Sequence, residues 1–170
     1  MEYKKVLEYL LRLEKFGMKL GLDNISQLLS YLGDPYKAYP LIHVAGTNGK
    51  GSTAAILESI LANSGYRVGL YTSPHLVDFR ERIRINGRYI DQKYITDFFG
   101  ANISKFDSIN PTFFEVVTAL AFAYFRDEKV DLAIAETGLG GRFDATNVIT
   151  PVASVITNID QEHRNHEQLF

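Results

Sequence analysis

The sequence predicts an α/β fold with a mostly parallel sheet flanked by helices. Three observations carry this. A short apolar run, Leu41 to Ala45, leads into a glycine-rich loop and then a helical stretch from roughly Lys50 to Ser64. Another apolar run, Arg67 to Tyr71, follows, and a strand–helix–strand order implies parallel strands joined by a right-handed crossover. Further downstream, Val130–Glu136 and Val152–Thr157 read as additional core strands.

The elements follow in chain order. Residues 2–15 place Val6, Leu7, Leu10 and Leu11 at helical spacing among Glu and Lys. Gly17 and Gly21 interrupt that pattern, and Met18 to Asp23 reads as a connector. Asn24 is placed to cap a short helix carrying Ile25, Leu28, Leu29 and Leu32, with Gly33 at its end and Asp34-Pro35 opening a turn. After the glycine loop, Ala54, Ala55, Ile56, Leu57, Ile60 and Leu61 give the next helix a wide apolar face, closed by Gly65. Glu81 to Ile85 alternates, and Asn86-Gly87 is a hairpin turn before Arg88-Tyr89-Ile90. This is a small antiparallel excursion from the sheet. Asp91 caps a helix bearing Tyr94, Ile95, Phe98 and Phe99. Thr112 and Glu115 match the capping box, and Val116 to Phe125 is apolar nearly all round, as in a buried helix.

The loop Gly46-Thr-Asn-Gly-Lys-Gly-Ser52 is the chemical centre of the chain. Glycines let backbone approach a ligand closely, and a helix start offers unpaired N–H groups and a positive dipole end. Lys50 adds a point charge for outer phosphates. The fold is therefore read as phosphate-loop NTPase-like. The usual pattern is G-x-x-x-x-G-K-[ST]. Here Val44 stands at the first Gly, and Gly51 stands where a magnesium-binding hydroxyl is expected.

Polar residues collect at the carboxyl ends of the strands, where open α/β sheets bind ligands. Thr72-Ser73-Pro74-His75 follows one strand; it either reaches phosphates and their metal or forms a plain Ser-Pro turn with a surface His. Glu136 ends another and is the strongest metal candidate, since magnesium takes hard oxygen ligands. The loop 137–147, with three glycines and many polar groups, follows it, and Asn158 to His163 lies beyond the last strand. Arg80, Arg82, Arg84 and Arg88 form a basic cluster that either attracts an anionic substrate or is a solvated strand face; the second reading is favoured for Arg82 and Arg84, which alternate with Ile83 and Ile85.

Composition sets the outer limits. A chain of 170 residues with 46% hydrophobic and 22% charged content suits one globular domain. A net charge of -2 gives no sign of nucleic-acid binding. The absence of cysteine excludes disulfides, thiolate catalysis and Cys-ligated zinc. No apolar run is long enough for a membrane span, and the first residues lack a signal-peptide core, so a cytoplasmic protein is expected.

His43-Val-Ala-Gly-Thr-Asn-Gly-Lys-Gly-Ser52, Ser73-Pro-His-Leu76, Phe114-Glu115, Glu136 to Asn147 and Ile156-Thr-Asn-Ile159 closely resemble folylpolyglutamate synthase and the bifunctional dihydrofolate synthase, within the Mur-type amide ligases. The resemblance covers nearly the whole chain. It implies that ATP phosphorylates a pterin-linked carboxylate, of dihydropteroate or a reduced folate, and that L-glutamate attacks the acyl phosphate. It implies phosphate binding by Thr47, Asn48, Gly49, Lys50, Gly51 and Ser52. It further implies magnesium on Ser73 and Glu136, and a second magnesium on His163. Catalytic roles fall to Lys50, Glu136 and His163. Thr112, Phe113, Phe114, Glu115, Phe143, Asp144 and Ala145 match positions that contact the pterin substrate, on whose ring Phe114 or Phe143 would stack.

Two departures from the family stand out. Asp160-Gln-Glu-His163 replaces the usual Gly-Leu-Asp-His, with Asp160 and Glu162 as substitute oxygen ligands. The family also has a longer ATPase domain, with a carbamylated lysine, and a C-terminal domain. Residues 1–170 are therefore expected to form one incomplete ATP-binding domain, inactive alone and prone to self-association through an uncovered face. Two other readings are a non-catalytic ATP- or pterin-binding module needing a partner chain, and a fragment of a cell-wall Mur-type ligase. Gly51 and the 136–147 loop count against the latter.

Overall fold

The computed structural model describes residues 1–15, 21–138 and 140–160. Its helices are α1 (Tyr3–Lys15), α2 (Asp23–Tyr31), α3 (Lys50–Asn63), α4 (Gln92–Ile109) and α5 (Phe113–Asp127). Its strands are β1 (Leu41–Ala45), β2 (Val68–Tyr71), β3 (Ile83–Ile85), β4 (Arg88–Tyr89), β5 (Leu132–Glu136) and β6 (Ala153–Ile156). They form one sheet in the order β4-β3-β2-β5-β1-β6. β2, β5, β1 and β6 run parallel, while β3 and β4 run antiparallel as the hairpin excursion. The β1–α3–β2 crossover skips one position, which β5 fills from later in the chain.

Two apolar layers hold the sheet. On one face, α3 packs Ala54, Leu57 and Leu61 against Val44, Val68, Leu70 and Ile134. On the other, α5 lies across the sheet with α1, α2 and α4 packed around it. Every residue of α5 from Glu115 to Phe125 is buried, which accounts for its unbroken apolar sequence. Each large apolar side chain sequestered there contributes ~1.5–3 kcal/mol.

Several expectations need correction. α2 begins at Asp23, so Asn24 lies inside the helix and no side chain caps it. The face of α3 is only half used: Ile56 and Ile60 remain 59% and 57% exposed, because the sheet reaches only the side carrying Ala54, Leu57 and Leu61. Glu81 is not in a strand. Asp78 and Glu81 form a capping box that winds Phe79–Arg82 into a 3-10 turn. Arg82 is consequently not on a solvated face; it is 6% exposed. Arg84 is half-buried and faces Glu58 of α3, with Nε 3.2 Å from Oε2 but without hydrogen-bond alignment. Connector residues 16–20 lie outside the described residues.

β6 pairs with β1, and Val152 just before it, Ile156 at its end and Ile159 beyond are exposed. Among the described residues, no helix is long and apolar enough to cross a membrane.

Candidate active site

The parallel strands bring the predicted polar residues to one edge. Val44 lies opposite Glu136 in the β1–β5 register, and Tyr71 lies opposite Ala135. The loop after β1, the turn after β2 and the end of β5 therefore converge.

Gly49, in left-handed conformation, starts α3, so the first-turn N–H groups of Lys50, Gly51 and Ser52 have no acceptor within the helix. Gly51 faces Glu136: a Cβ placed there would lie 3.6 Å from Oε2 and 3.7 Å from Oε1. The Ser73 N–H donates to Glu136 Oε2 at 3.1 Å. Burial pushes the Glu136 carboxyl pKa up, opposed by the Ser73 N–H and the charge of Lys50. A buried carboxylate held this way gains from a cation.

Thr137, the next residue, is buried, and its Oγ1 has no hydrogen-bond partner among the described residues. An unpaired buried hydroxyl costs ~1–3 kcal/mol, which a ligand or water would relieve. Among the described residues no cluster of three His, Asp or Glu side chains could hold a metal alone. Magnesium binds through one or two carboxylates plus phosphates and water. The residues present fit a magnesium ion: the Glu136 carboxylate, with Ser73 held beside it, next to the space left by Gly51. His163 and Glu162 lie outside the described residues. Asp160 donates its N–H to Thr47 Oγ1 at 3.0 Å.

The phosphate loop is braced by the segment after β6. Asn158 O accepts from Thr47 N–H and Asn158 Oδ1 accepts from Asn48 N–H, each at 2.8 Å. Thr157 Oγ1 donates to Asn48 O at 2.7 Å. Lys50 Nζ donates to Gly46 O at 2.9 Å and Thr47 O at 3.2 Å, folded over its own loop rather than outstretched. Nothing in the local sequence marks Asn158 as this brace.

The predicted substrate residues divide. Thr112 and Glu115 cap α5: Thr112 N–H donates to Glu115 Oε2 at 2.6 Å, and Glu115 N–H to Thr112 Oγ1 at 3.3 Å. Phe114 packs on Tyr71, with centroids 5.8 Å apart, and against Gly138, where an added Cβ would meet the ring at 2.4 Å. Phe143 is exposed beside Arg142, whereas Ala145 is buried. Asp144 is buried and organises its own loop, accepting from Gly138 N–H at 2.8 Å and Thr146 N–H at 2.9 Å. The Thr146 hydroxyl also donates to it and lies 2.8 Å from His43 Nε2 on β1. Burial lowers the His43 pKa, partly offset by Asp144, which favours the neutral ring. This ties the 138–146 loop to the strand that carries the phosphate loop.

His75 does not reach toward phosphates. Its Nδ1 accepts from Arg82 Nε at 2.8 Å, and its ring meets the edge of Phe79.

Residues 44–167 match the Mur ligase middle domain family. The chain is 47% identical over 158 residues to the dihydrofolate synthase/folylpolyglutamate synthase of Bacillus subtilis, covering 89% of this chain and 37% of that protein. It resembles the crystal structure of folylpolyglutamate synthase from Thermotoga maritima, with a TM-score of 0.87, 48% identity and coverage of 93% and 38% of the two chains. It also resembles E. coli FolC in complex with DHPP and ADP, with a TM-score of 0.88, 39% identity and coverage of 95% and 40%. The chain spans well under half the length of these relatives.

Proposed function

The chain belongs to the Mur ligase middle domain family, and from that premise we propose that its protein is an ATP-dependent amide ligase joining L-glutamate to dihydropteroate, a reduced folate, or both. One observation carries the reading. The Glu136 carboxylate stands at the mouth of the phosphate loop, within van der Waals reach of a Cβ at Gly51 and held by the Ser73 N–H. The names of the relatives support the folate branch rather than the cell-wall one.

In this reading the phosphates rest on the first-turn N–H groups of α3. Lys50 exchanges two neutral carbonyl partners for anionic oxygens, a stronger charge-assisted contact. Thr47 and Asn48 shape the loop through Asn158 rather than cradling phosphate with their N–H groups. Glu136 and Ser73 would hold magnesium, which would supply neutralisation of phosphate charge when bound. Phe113, Phe114 and Phe143 offer aromatic surface for a flat heteroaromatic acid, while Thr112, Glu115 and Asp144 fix the backbone around them.

The acid's carboxylate oxygen attacks the γ-phosphorus and the bond to ADP breaks. The glutamate amine then attacks the acyl carbon, the acyl C–O bond breaks and phosphate departs. The protein contributes mainly positioning and charge compensation. The exposed side chains of Val152, just before β6, and Ile156 at its end carry a companion proposal of self-association, which sedimentation of residues 1–170 would test.

The test is phosphate release from ATP by the purified protein at its full natural length, because residues 1–170 alone are expected to be inactive. Release should require both the pteroyl acid and L-glutamate and should fall at least ~100-fold in Lys50→Ala. Release indifferent to either co-substrate, or unchanged in Lys50→Ala, would contradict the proposal.

A further inference from the structure

We infer that Arg82 is a substrate-binding residue, grasping the carboxylate of the aromatic acid through the two terminal nitrogens of its guanidinium. The inference rests on the ligase reading above and adds to it a residue for the acid's charged end.

Arg82 is 6% exposed yet forms no ion pair among the described residues. The other arginines at this end of the sheet differ. Arg80 is paired with Asp78 at 2.6 Å, and Arg84 faces Glu58. Glu14, exposed at the end of α1, is the carboxylate that exerts a field on Arg82, without ion-pair contact. A buried cation lacking an acid is expensive, and folds retain such a group where a ligand completes it.

The guanidinium is held in a set orientation. Nε donates to His75 Nδ1 at 2.8 Å, and Cζ lies 5.1 Å from the centroid of the Phe113 ring. The backbone carbonyl accepts from Thr72 N–H at 2.9 Å. With Nε engaged, Nη1 and Nη2 remain as a parallel pair of donors, the fork that matches a carboxylate.

Its position fits the reaction. The turn after β2 has two anchors: Ser73 N–H on Glu136 and His75 on Arg82. Arg82 therefore lies across that turn from the carboxylate at the phosphate loop. Phe113, on which it stacks, begins the helix whose next residue, Phe114, faces Tyr71 and Gly138. An aromatic acid lying along Phe113 and Phe114 would present its carboxylate to Arg82 on the side facing the phosphates. A nucleotide phosphate is the competing anion, but the loop after β1 already supplies Lys50 and the α3 N-terminus for it.

The test compares dihydropteroate with its carboxamide, which keeps the rings and loses the charge. Binding of each to the intact protein is measured calorimetrically, and ATP is titrated separately. The wild-type protein should prefer the acid by about 10- to 100-fold, and Arg82→Met should reduce that preference to within about threefold while retaining ATP affinity. Arg82→Lys, which keeps charge but not the fork, should fall between them. An undiminished preference in Arg82→Met overturns the inference. If that variant does not fold, an undiminished preference in Arg82→Lys does so. Weakened ATP binding with the preference intact reassigns the guanidinium to phosphate and also overturns it. Equal binding of acid and amide by wild type defeats this inference alone when phosphate release still requires ATP, acid and glutamate. Absence of that release defeats the ligase reading as well.

Discussion

Replacing Gly46 by alanine should damage the phosphate loop far more than the same change at Gly49. Gly46 has φ of +130°, and a Cβ there would stand 2.2 Å from Thr157 Oγ1, 2.9 Å from Asn158 O and 3.1 Å from Asn158 N. The threonine hydroxyl could rotate away, but the Asn158 backbone must move. The unfavourable φ costs ~1–3 kcal/mol. Forcing apart packed backbone adds ~1–3 kcal/mol. Asn158 also receives the N–H groups of Thr47 and Asn48, so its shift loosens two hydrogen bonds of ~0.5–1.5 kcal/mol each. Allowing for partial relaxation, the total is about 3–5 kcal/mol, a fall in Tm of roughly 6–20 °C for a domain of this size. Gly49 has φ of +80° and, among the described residues, nothing within 4 Å of the added Cβ, so conformational strain of ~1–2 kcal/mol is the cost expected. Urea unfolding of both variants beside wild type measures the difference directly. Equal destabilisation, within ~0.5 kcal/mol, would refute the claim that the segment after β6 braces this loop.

Thr112→Ala removes one half of the α5 capping box and should cost ~0.5–2 kcal/mol in denaturant unfolding, with Thr112→Ser recovering most of it. Gly138→Ala places a methyl 2.4 Å from the Phe114 ring and should cost ~1–3 kcal/mol, and the ring's displacement should weaken pteroyl-acid binding more than ATP binding in parallel titrations. Glu136→Gln should make the metal-free protein more stable at neutral pH. Burial raises the folded-state pKa of Glu136 above its unfolded value, so its favourable contribution is present below the unfolded pKa and disappears as pH rises through the folded pKa. The advantage of the glutamine variant should therefore shrink as pH falls from neutral through the raised folded-state pKa and be gone near about 4.3, the ordinary Glu value. A constant Tm difference across that range would contradict the assignment.

The parts of the fold written in local pattern were legible. The β1–α3–β2 unit, the Asn86-Gly87 hairpin and the Thr112/Glu115 capping box each depend on residues close in sequence. Glu136 was legible as an acid closing an apolar strand. Arg82 was misread because it alternates with Ile83 and Ile85, whereas the Asp78/Glu81 capping box takes Phe79–Arg82 out of strand register and turns the arginine toward His75 and Phe113. The outer face of α3 was overestimated because apolar composition does not say how much of a helix the sheet will cover. The contact of His43 with Thr146 and the brace of Asn158 on the phosphate loop join residues more than a hundred positions apart, and no spacing rule reaches that far.

Whether Glu136 meets the nucleotide phosphates through a metal can be read from anomalous diffraction by crystals grown with a non-hydrolysable ATP analogue and manganese in place of magnesium. Phosphates are expected at the head of α3, beside Lys50, with a manganese peak bonded to a Glu136 carboxylate oxygen and to a phosphate oxygen. Nucleotide bound away from residues 46–52, or a manganese ion with no bond to Glu136, would contradict that placement.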